Sequence, residues 1–403
     1  MRPSPTADGV ESIDLASVRA ETPGCAKVAH FNNAGASLMP APVVEAQIAH
    51  LRREAEIGGY EARAEAGERL ESVYGSIARL LNCAAEEIAL VENATVAWNL
   101  AFQAFDWRPG DKVLTVEAEY ASSYIAYLHA RQRQGIEVVT VPSDATGQVD
   151  LEELEQRLDP KVRLIAVTHV PTNGGLVNPA AEIGRIARAR GIPFLLDACQ
   201  SAGQLDLDVQ AIGCDLLSAT GRKYLRGPRG TGFLYVRRGL LDRLTPPCPD
   251  LRSARWEAPD RFVWYEGARR FENWEFNYAA LLGLGAAVDY ALDLGLPAIE
   301  ARVTALAAEL RERLAAVPGL QVRDLGTRRC GLCTFTLAGR EASAVAAALR
   351  GQAINVSVSD PNGTLLDATR RGLPDMVRAS VHYFNDSGEM DRLIAALERL
   401  SRG

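Results

Sequence analysis

Lysine is scarce in this sequence, and one lysine stands where covalent chemistry would take place. Of the 44 basic residues, only four are lysines: Lys27, Lys112, Lys161 and Lys223. Lys112 and Lys161 precede predicted strands, whereas Lys223 directly follows one, in the run SATGRKYLRGPRGTG. An arginine cannot replace a lysine that forms a Schiff base, because a guanidinium effectively never deprotonates. Lys223 is therefore predicted to bind a carbonyl covalently; the alternative is an ordinary surface lysine.

A carboxylate and a set of anion-binding residues complement this lysine. Asp197 ends the preceding predicted strand, where it could hold a pyridine nitrogen protonated or simply cap the following turn. Asn93-Ala94-Thr95 precedes a helical pattern, where free N–H groups and the helix dipole suit a phosphate, although Thr95 could be a plain N-cap. Thr220 and Arg222 add a hydroxyl and a charged donor. Together these groups predict pyridoxal 5′-phosphate (PLP) as the cofactor.

The elements that must position these residues predict an α/β fold. Short apolar runs alternate with helical patterns: strands at 113–116, 138–141, 164–168, 193–196 and 216–219, with helices at 120–134 and 179–190. Apolar strands separated by crossover helices form a mostly parallel sheet that is covered on both faces. Functional groups in such sheets lie beyond the carboxyl ends of the strands. Asp197 and Lys223 both occupy that position.

The pattern changes after about residue 276 and predicts a second, smaller α/β domain. It contains helices at 277–294, 297–316, 341–349 and 387–400 and strands near 320–323, 332–337, 354–358 and 376–381. We expect an N-terminal segment, 1–30, that packs with the small domain, a large PLP-binding domain, 31–276, and a connecting helix with the small domain, 277–403. Residues 244–275 show no periodicity, which predicts an irregular functional or interface segment.

Composition excludes several classes of protein. The net charge is −7 and no Lys/Arg-rich run occurs, which argues against nucleic acid or an anionic membrane as a partner. No apolar stretch reaches the length of a membrane span, and the first residues lack a secretory signal, so a cytoplasmic location is expected. The five histidines have no metal-ligand spacing, and no metal is expected. The glycines near 227–232 fit neither GxGxxG nor a P-loop, which counts against a nicotinamide dehydrogenase.

Taken together, these motifs resemble the class V aminotransferase family, which has the PLP-dependent transferase fold type I. The resemblance runs from about Phe31 to Leu397. It implies a large domain built on a mostly parallel sheet of the seven-stranded type. It also implies a homodimer that has its active sites at the interface and acts on a small amino acid.

The resemblance implies roles for individual residues. Tyr120 would stack on the pyridine ring, and Thr172 or Asn173 would meet the ring hydroxyl. Asp197 and Gln200 would bind the ring nitrogen and the ring oxygen. Further contacts are implied with the phosphate by Arg222 in place of the usual histidine, with the substrate carboxylate by Arg378, and with the substrate by the N-terminal pair Asn33 and Ala34.

Two segments depart from the family pattern. Residues 354–363 cover the region where cysteine desulfurases carry their nucleophilic cysteine, and they contain none. A persulfide cannot form there without a thiolate. Residues 270–277 lack the threonine that reaches the partner subunit's phosphate, so backbone N–H groups near Asn273 and Trp274 would have to serve.

The expected reaction begins when the substrate amine displaces Lys223, which then removes the α-proton. We expect β-elimination by a carbon–sulfur lyase similar to the hercynylcysteine sulfoxide lyases. The missing cysteine and the run 56–61, in which Tyr60 would contact the substrate, both resemble that group; the alternative for this run is a helix end with a glycine turn. An aminotransferase or an epimerase is the main competitor, and a desulfurase or a non-enzymatic PLP-binding protein is less favoured.

No cysteine is expected to be catalytic. The seven cysteines are an odd number and predict no disulfide framework. Cys330 and Cys333 form a lone CxxC before a strand and are predicted to be buried thiols. Cys248 is predicted to be an exposed loop thiol, with reach into the partner's site as the alternative. His382 is predicted to be a hydrogen-bonded core histidine rather than a catalytic group.

Overall fold

The computed structural model describes residues 13–402 and contains a large seven-stranded sheet as its central element. A short strand, β1 (Ala29–His30), precedes this sheet in the chain and does not belong to it. The strands of the sheet are β2 (Ile88–Val91), β3 (Lys112–Val116), β4 (Glu137–Val141), β5 (Val162–Thr168), β6 (Phe194–Asp197), β7 (Leu216–Thr220) and β8 (Gly232–Val236). The order is β2-β8-β7-β6-β5-β3-β4, and only β8 pairs antiparallel with its neighbours. The predicted α/β fold with a mostly parallel sheet is confirmed.

Helices cover both faces of this sheet. The α-helices of the described chain are α1 (Leu15–Ala20), α2 (Ala41–Ile57), α3 (Gly59–Glu65), α4 (Gly67–Leu81), α5 (Ala94–Gln103), α6 (Ala121–Gln134), α7 (Leu151–Gln156), α8 (Ala180–Ala189), α9 (Val209–Ile212), α10 (Tyr278–Leu294), α11 (Leu296–Ala315), α12 (Ala342–Arg350), α13 (Leu365–Arg371) and α14 (Ser387–Arg402). Successive strand residues point to opposite faces. Ile165, Val167 and Leu196 therefore pack with α4, α8 and α10, whereas Leu164, Ala166 and Leu195 pack with α5 and α6.

A second sheet forms the core of the C-terminal part of the chain. The remaining strands are β9 (Ala254–Ala258), β10 (Arg261–Trp264), β11 (Leu320–Val322), β12 (Leu332–Leu337), β13 (Ile354–Asn355), β14 (Ser357–Ser359) and β15 (Met376–Ser380). Strands β11, β12, β15 and β14 make an antiparallel sheet that packs with α11, α12 and α14. Val18, Ala29 and Phe31 join this cluster, and β1 pairs with β13. Residues 1–12 of the expected N-terminal segment lie outside the described residues.

Two segments differ from the expectations. Residues 244–275 were expected to be irregular, but β9 and β10 form an antiparallel hairpin there. Both faces of the hairpin are largely exposed, with Trp256 73% and Phe262 51% exposed, so no apolar alternation marks its strands. The single strand expected at 354–358 is instead two short strands, because β13 pairs with β1 and β14 pairs with β15.

The helices of the described chain include no single one that is long and apolar enough to cross a membrane. The pair α10 and α11 passes that test only when its two helices are taken together, and they are bent by 81° relative to each other. Most residues of α10 are buried against the large sheet and its neighbouring helices.

Candidate active site

Neighbouring strands bring the predicted active-site residues to one edge of the large sheet. Thr168 ends β5, Asp197 ends β6 and Thr220 ends β7, and Thr168 lies beside Asp197 in the strand register. A cavity of about 590 Å³ opens at this edge. Ten of the residues predicted to bind the cofactor line it: Asn93, Ala94, Thr95, Tyr120, Thr172, Asp197, Gln200, Thr220, Arg222 and Lys223.

Lys223 lies in the loop after β7 and is almost entirely buried, with 8% of its surface exposed. Burial lowers the pKa of its amine, and the positive charges of Arg222 and Arg378 act in the same direction. Cys199 and Asp197 oppose this shift of the pKa. A lowered pKa leaves more of the amine neutral near pH 7, which is the form that attacks a carbonyl or accepts a proton.

The loop that carries Lys223 is anchored by Arg226, a fully buried arginine. Its guanidinium donates to the hydroxyl of Thr22 at 2.6 Å, to the carbonyl of Leu38 at 2.8 Å and to the hydroxyl of Tyr383 at 2.8 Å. It also lies 4.6 Å from the centre of the Phe384 ring. The lysine loop is therefore tied both to the N-terminal segment and to residues that follow β15.

Asp197 is buried at the end of β6, close to Lys223. Burial raises the pKa of its carboxyl, whereas the N–H of Cys199, 2.8 Å from Oδ1, and the charge of Lys223 lower that pKa. A cationic ring nitrogen would favour the ionised carboxylate further. Gln200 donates to the carbonyl of Ala34 at 3.3 Å, and its buried Oε1 has no partner within residues 13–402.

One part of the cavity wall is suited to an anion. Helix α5 begins there, with Asn93 as its N-cap accepting from the N–H of Val96 at 3.0 Å. Ala94 and Thr95 occupy the first turn, whose amides have no partner inside the helix and lie at the positive end of its dipole. Arg222 lines the same cavity and donates to a backbone carbonyl. This combination can bind a phosphate.

Arg378 is held beside the cavity by neutral groups. Its Nη1 donates to the hydroxyl of Thr172 at 2.8 Å and to the carbonyl of the same residue at 3.1 Å, and its Nε donates to the hydroxyl of Ser357 at 3.1 Å. The side chain is buried, and burial lowers the pKa of the guanidinium. Because these partners carry no charge, they do not neutralise the guanidinium, which can therefore pair with an anion that enters next to Thr172.

This arrangement agrees with a family match that covers most of the chain. The model of the aminotransferase class-V family matches residues 29–393. The chain belongs to the class V aminotransferase family. The resemblance drawn from the sequence motifs is therefore confirmed, together with the fold type that it implied.

Curated relatives in this family are named for sulfur chemistry. A probable cysteine desulfurase of Methanothermobacter thermautotrophicus is 29% identical over 391 residues, which cover 95% of this chain and 97% of that protein. A cysteine desulfurase of Salmonella agona is 31% identical over 392 residues, covering 93% and 94%. These names match the cysteine desulfurase side of the family rather than sulfoxide lyases.

Solved structures give the same fold. The apo cysteine desulfurase of Thermococcus onnurineus NA1 superposes with a TM-score of 0.88 at 27% identity, covering 96% of this chain and 98% of that one. The cystine C–S lyase C-DES, solved with its reaction product cysteine persulfide, superposes with a TM-score of 0.85 at 26% identity, covering 94% and 99%. A C-DES mutant with glycine covalently linked to PLP gives a TM-score of 0.86, also at 26% identity, covering 94% and 98%.

PLP is the cofactor of this class V chain, as the sequence motifs predicted. The cavity fits it on its own chemistry, since its wall contains a lysine, an aspartate, a helix N-terminus and an arginine. The unpartnered Oε1 of Gln200 adds an acceptor that a ring hydroxyl can satisfy.

Asn173, one of the two residues predicted to meet the ring hydroxyl, is engaged within its own chain. The Nδ2 of Asn173 donates to the carbonyl of Asp360 at 2.8 Å and to the hydroxyl of Thr364 at 3.0 Å, and its Oδ1 accepts from Ser359 at 2.7 Å. The oxygen and the nitrogen of its side-chain amide are therefore both hydrogen-bonded to residues 359–364. Of the pair Thr172 and Asn173, only Thr172 lines the cavity and can meet the cofactor.

The backbone N–H groups near residue 274, which were predicted to reach the partner subunit's phosphate, lie outside the cavity of their own chain. The N–H of Trp274 donates to the carboxylate of Asp250 at 2.7 Å, so it is already engaged within its own chain. Asn273 is half-buried and lies outside the cavity wall. Its proposed contact with the partner subunit's phosphate stays a prediction.

Asn33 and Ala34, which were predicted to contact the substrate, are hydrogen-bonded within their own chain. The Nδ2 of Asn33 donates to the carbonyl of Ser380 at 2.7 Å, and its Oδ1 accepts from Ser37. The N–H of Ala34 donates to the hydroxyl of Ser380 at 2.9 Å, and its carbonyl accepts from Gln200. These atoms join β15 to the site, and the contact of Asn33 and Ala34 with a substrate stays a prediction.

Tyr60 lies outside the cavity within its own chain and is 72% exposed. The glycines before it form the helix boundary that was the alternative interpretation, since α2 ends at Ile57 and Gly58 has φ +100°. Its role towards a substrate stays a prediction that only a partner subunit could satisfy.

Several cavity residues were missed by sequence reasoning. Thr168 and Cys199 line the cavity, and Glu119 lies buried behind Tyr120. Glu119 directly precedes Tyr120 and Cys199 lies two residues after Asp197, but no local pattern distinguishes a residue that faces the site from one that packs behind it.

The remaining expectations on cysteine and histidine agree with the structure. Cys330 and Cys333 are fully buried, and Cys248 is exposed. His382 is a buried core histidine whose Nε2 lies 2.9 Å from the carbonyl of Tyr224. Among the seven cysteines, which all lie in the described part of the chain, only Cys199 lines the cavity.

Proposed function

We propose that this chain is a PLP-dependent carbon–sulfur lyase that breaks the Cβ–S bond of a cysteine-derived amino acid by β-elimination. One observation carries the proposal. The segment 354–363 contacts Asn173 through Asp360, and Ser357 within it contacts Arg378, yet it contains no cysteine. The site therefore has a lysine base and an anion receptor but no thiol on that segment to take up sulfur.

Each residue has a separate task in this reaction. Arg378 binds the α-carboxylate of the substrate beside Thr172, which fixes the orientation of the α-carbon. Lys223 would hold the cofactor, and its amine would accept the α-proton of the substrate. Asp197 would keep the ring nitrogen protonated, and Tyr120 would cover the ring. When bound, PLP withdraws the electron pair that the α-carbon keeps after proton loss.

The bonds then balance without a further co-reactant except water. The C–H bond at the α-carbon breaks and its proton passes to Lys223, while the Cβ–S bond breaks and its electron pair leaves with sulfur. The unsaturated three-carbon fragment is hydrolysed to pyruvate and ammonia. A good sulfur leaving group on the β-carbon, such as the cysteine persulfide that cystine would release, favours this route over reprotonation.

A cysteine desulfurase is the second candidate, because the curated relatives carry that name. Such an enzyme transfers sulfur to a cysteine and releases alanine. Cys199 lines the cavity beside Lys223, whose charge opposes the rise in the thiol pKa that burial causes. Cys199 is therefore the thiol to test, even though a raised pKa disfavours the nucleophilic thiolate.

Product analysis separates the two candidates. The holoenzyme is incubated with cystine, cysteine, an S-alkylcysteine and its sulfoxide, with no amino acceptor added. Pyruvate and ammonia in equal amounts support the lyase, whereas alanine with a persulfide on the protein supports the desulfurase. Cys199→Ser keeps full activity in the first case and loses it in the second, and Cys248→Ser is the matched control because Cys248 is exposed.

We further infer that the active unit is a homodimer. The hairpin β9–β10 presents Trp256 and Phe262 to solvent, and Trp274 nearby is 45% exposed. Exposed aromatic groups of this size are typical of interaction surfaces. Sedimentation of the holoenzyme should give twice the chain mass, and Trp256→Glu with Phe262→Glu should shift it towards the single chain.

A further inference from the structure

A buried carboxylate lies directly behind the cofactor cavity and has no role in the reaction proposed above. Glu119 is 3% exposed and stands between β3 and α6. Its Oε1 accepts from the N–H of Tyr120 at 2.8 Å and from the hydroxyl of Thr168, and its Oε2 accepts from the hydroxyl of Thr115 at 2.7 Å. All three donors are neutral, so the carboxylate is held in place by hydrogen bonds without a paired cation.

The position of Glu119 in the sheet connects it to the cofactor-binding carboxylate. Strands β3, β5 and β6 are neighbours, and Thr168 at the end of β5 lies in register with Asp197 at the end of β6. Glu119, Thr168 and Asp197 thus form a row along the carboxyl edge of the sheet. Thr168 also lines the cavity, so one hydroxyl joins the buried acid to the site.

We propose that Glu119 is a positioning residue of the active site, which holds the Tyr120 backbone and the Thr168 hydroxyl and adds negative charge behind Asp197. The proposal rests on the cofactor-binding roles proposed for Tyr120 and Asp197. It needs no assumption about the substrate or about the bond that is broken.

The charge part of this proposal has a definite sign. The titratable groups that act on Glu119 are Asp197 from β6 and, from α6, the buried phenol of Tyr127. Burial raises the pKa of Glu119 to about 7, against the opposing effect of its hydrogen bonds, and the charge of Asp197 also raises it. Above that pKa Glu119 is ionised and stabilises protons carried by cationic groups in the cavity, so its removal should make those protons leave at lower pH.

The positioning part predicts a difference between two substitutions. In Glu119→Gln the side-chain carbonyl can still accept from Tyr120 and Thr168, so the cavity wall keeps its shape. In Glu119→Ala both acceptors are lost and the Tyr120 backbone is released. Glu117→Gln is the matched control, because Glu117 lies two residues earlier in the same connection but outside the cavity wall, where it pairs with Arg370 at 3.0 Å and accepts from the N–H of Ser143 at 2.9 Å.

The experiment measures cofactor properties rather than turnover. The visible absorption of each holoenzyme is titrated with pH, and PLP affinity is measured by fluorescence. In Glu119→Gln the spectral midpoint should fall by about 0.5 pH unit or more, with affinity within about threefold of the native chain. In Glu119→Ala the affinity should fall about tenfold or more. Glu117→Gln should match the native chain in both measurements.

Two results would overturn the inference. One is a native spectral midpoint in Glu119→Gln, and the other is native PLP affinity in a folded Glu119→Ala variant. If the alanine variant does not fold, the midpoint of the glutamine variant decides alone. A native chain that binds no PLP would instead contradict the proposed function, so the two failures are distinct.

Discussion

Arg378 gives the sharpest test of how this site recognises its substrate. Its guanidinium is oriented by Thr172 and Ser357, which carry no charge, so it can present the rest of its fork to a carboxylate. Each charge-assisted hydrogen bond to such an anion contributes about 1.5–3 kcal/mol. Two of them correspond to about 3–6 kcal/mol, so Arg378→Ala should lower kcat/KM by a factor of about 10² to 10⁴.

Steady-state kinetics with the best substrate of the product assay, beside an absorption spectrum, measure this effect. Arg378→Lys should recover little activity, because an ammonium is a point charge without a planar fork. The cofactor spectrum should stay close to native in both variants. Arg371→Ala is the control, since Arg371 also follows the loop after β14 but pairs with Asp367 at 3.2 Å.

Arg378 does not bind the substrate carboxylate if both Arg378 variants keep native KM and kcat, as Arg371→Ala is expected to do. The carboxylate must then bind elsewhere in the cavity. A loss that appears only together with a loss of bound PLP would equally refute the assignment, because it would make Arg378 part of the cofactor site.

Three further predictions concern the cofactor and the fold. Borohydride reduction of the holoenzyme should leave the pyridoxyl group on Lys223, and a peptide map that finds it on Lys112 or Lys161 would refute the assignment. Asp197→Ala should keep PLP bound but lower turnover by about 10²-fold or more, and near-native turnover would contradict its role. Arg226→Met should lower the free energy of unfolding by about 3 kcal/mol or more, because three buried acceptors lose a charged donor. Urea denaturation tests this against Arg229→Met, an exposed residue of the same loop that should unfold like the native chain.

The parts of the site that follow strand ends could be predicted from the sequence. Asp197, Thr220 and Lys223 each stand directly after or at the end of an apolar run, and parallel strands bring such positions together whatever the rest of the chain does. The N-terminus of α5 is equally local, because Asn93 caps the helix that it precedes.

Residues whose role depends on distant segments could not be assigned in this way. Thr172 and Asn173 are adjacent, and the side chain of either one could donate a hydrogen bond. Only the contact of Asn173 with Asp360 and Thr364 decides which of the two faces the cavity. Asn33 was expected at the substrate but is bound by Ser380, almost the full length of the chain away. Glu119 became recognisable only once Thr168 of a different strand was placed beside it.

The anchoring of Arg226 also limits how the enzyme can open. One guanidinium joins the start of the chain at Thr22, the loop that carries Lys223, and Tyr383 beyond the last strand. A hinge motion that separated the C-terminal sheet from the large sheet would have to remove the Arg226 guanidinium from its contacts with the rings of Tyr383 and Phe384. We therefore expect these parts to move as a single rigid body. Substrate exchange should depend instead on small displacements at the cavity wall near Tyr120, which is 38% exposed.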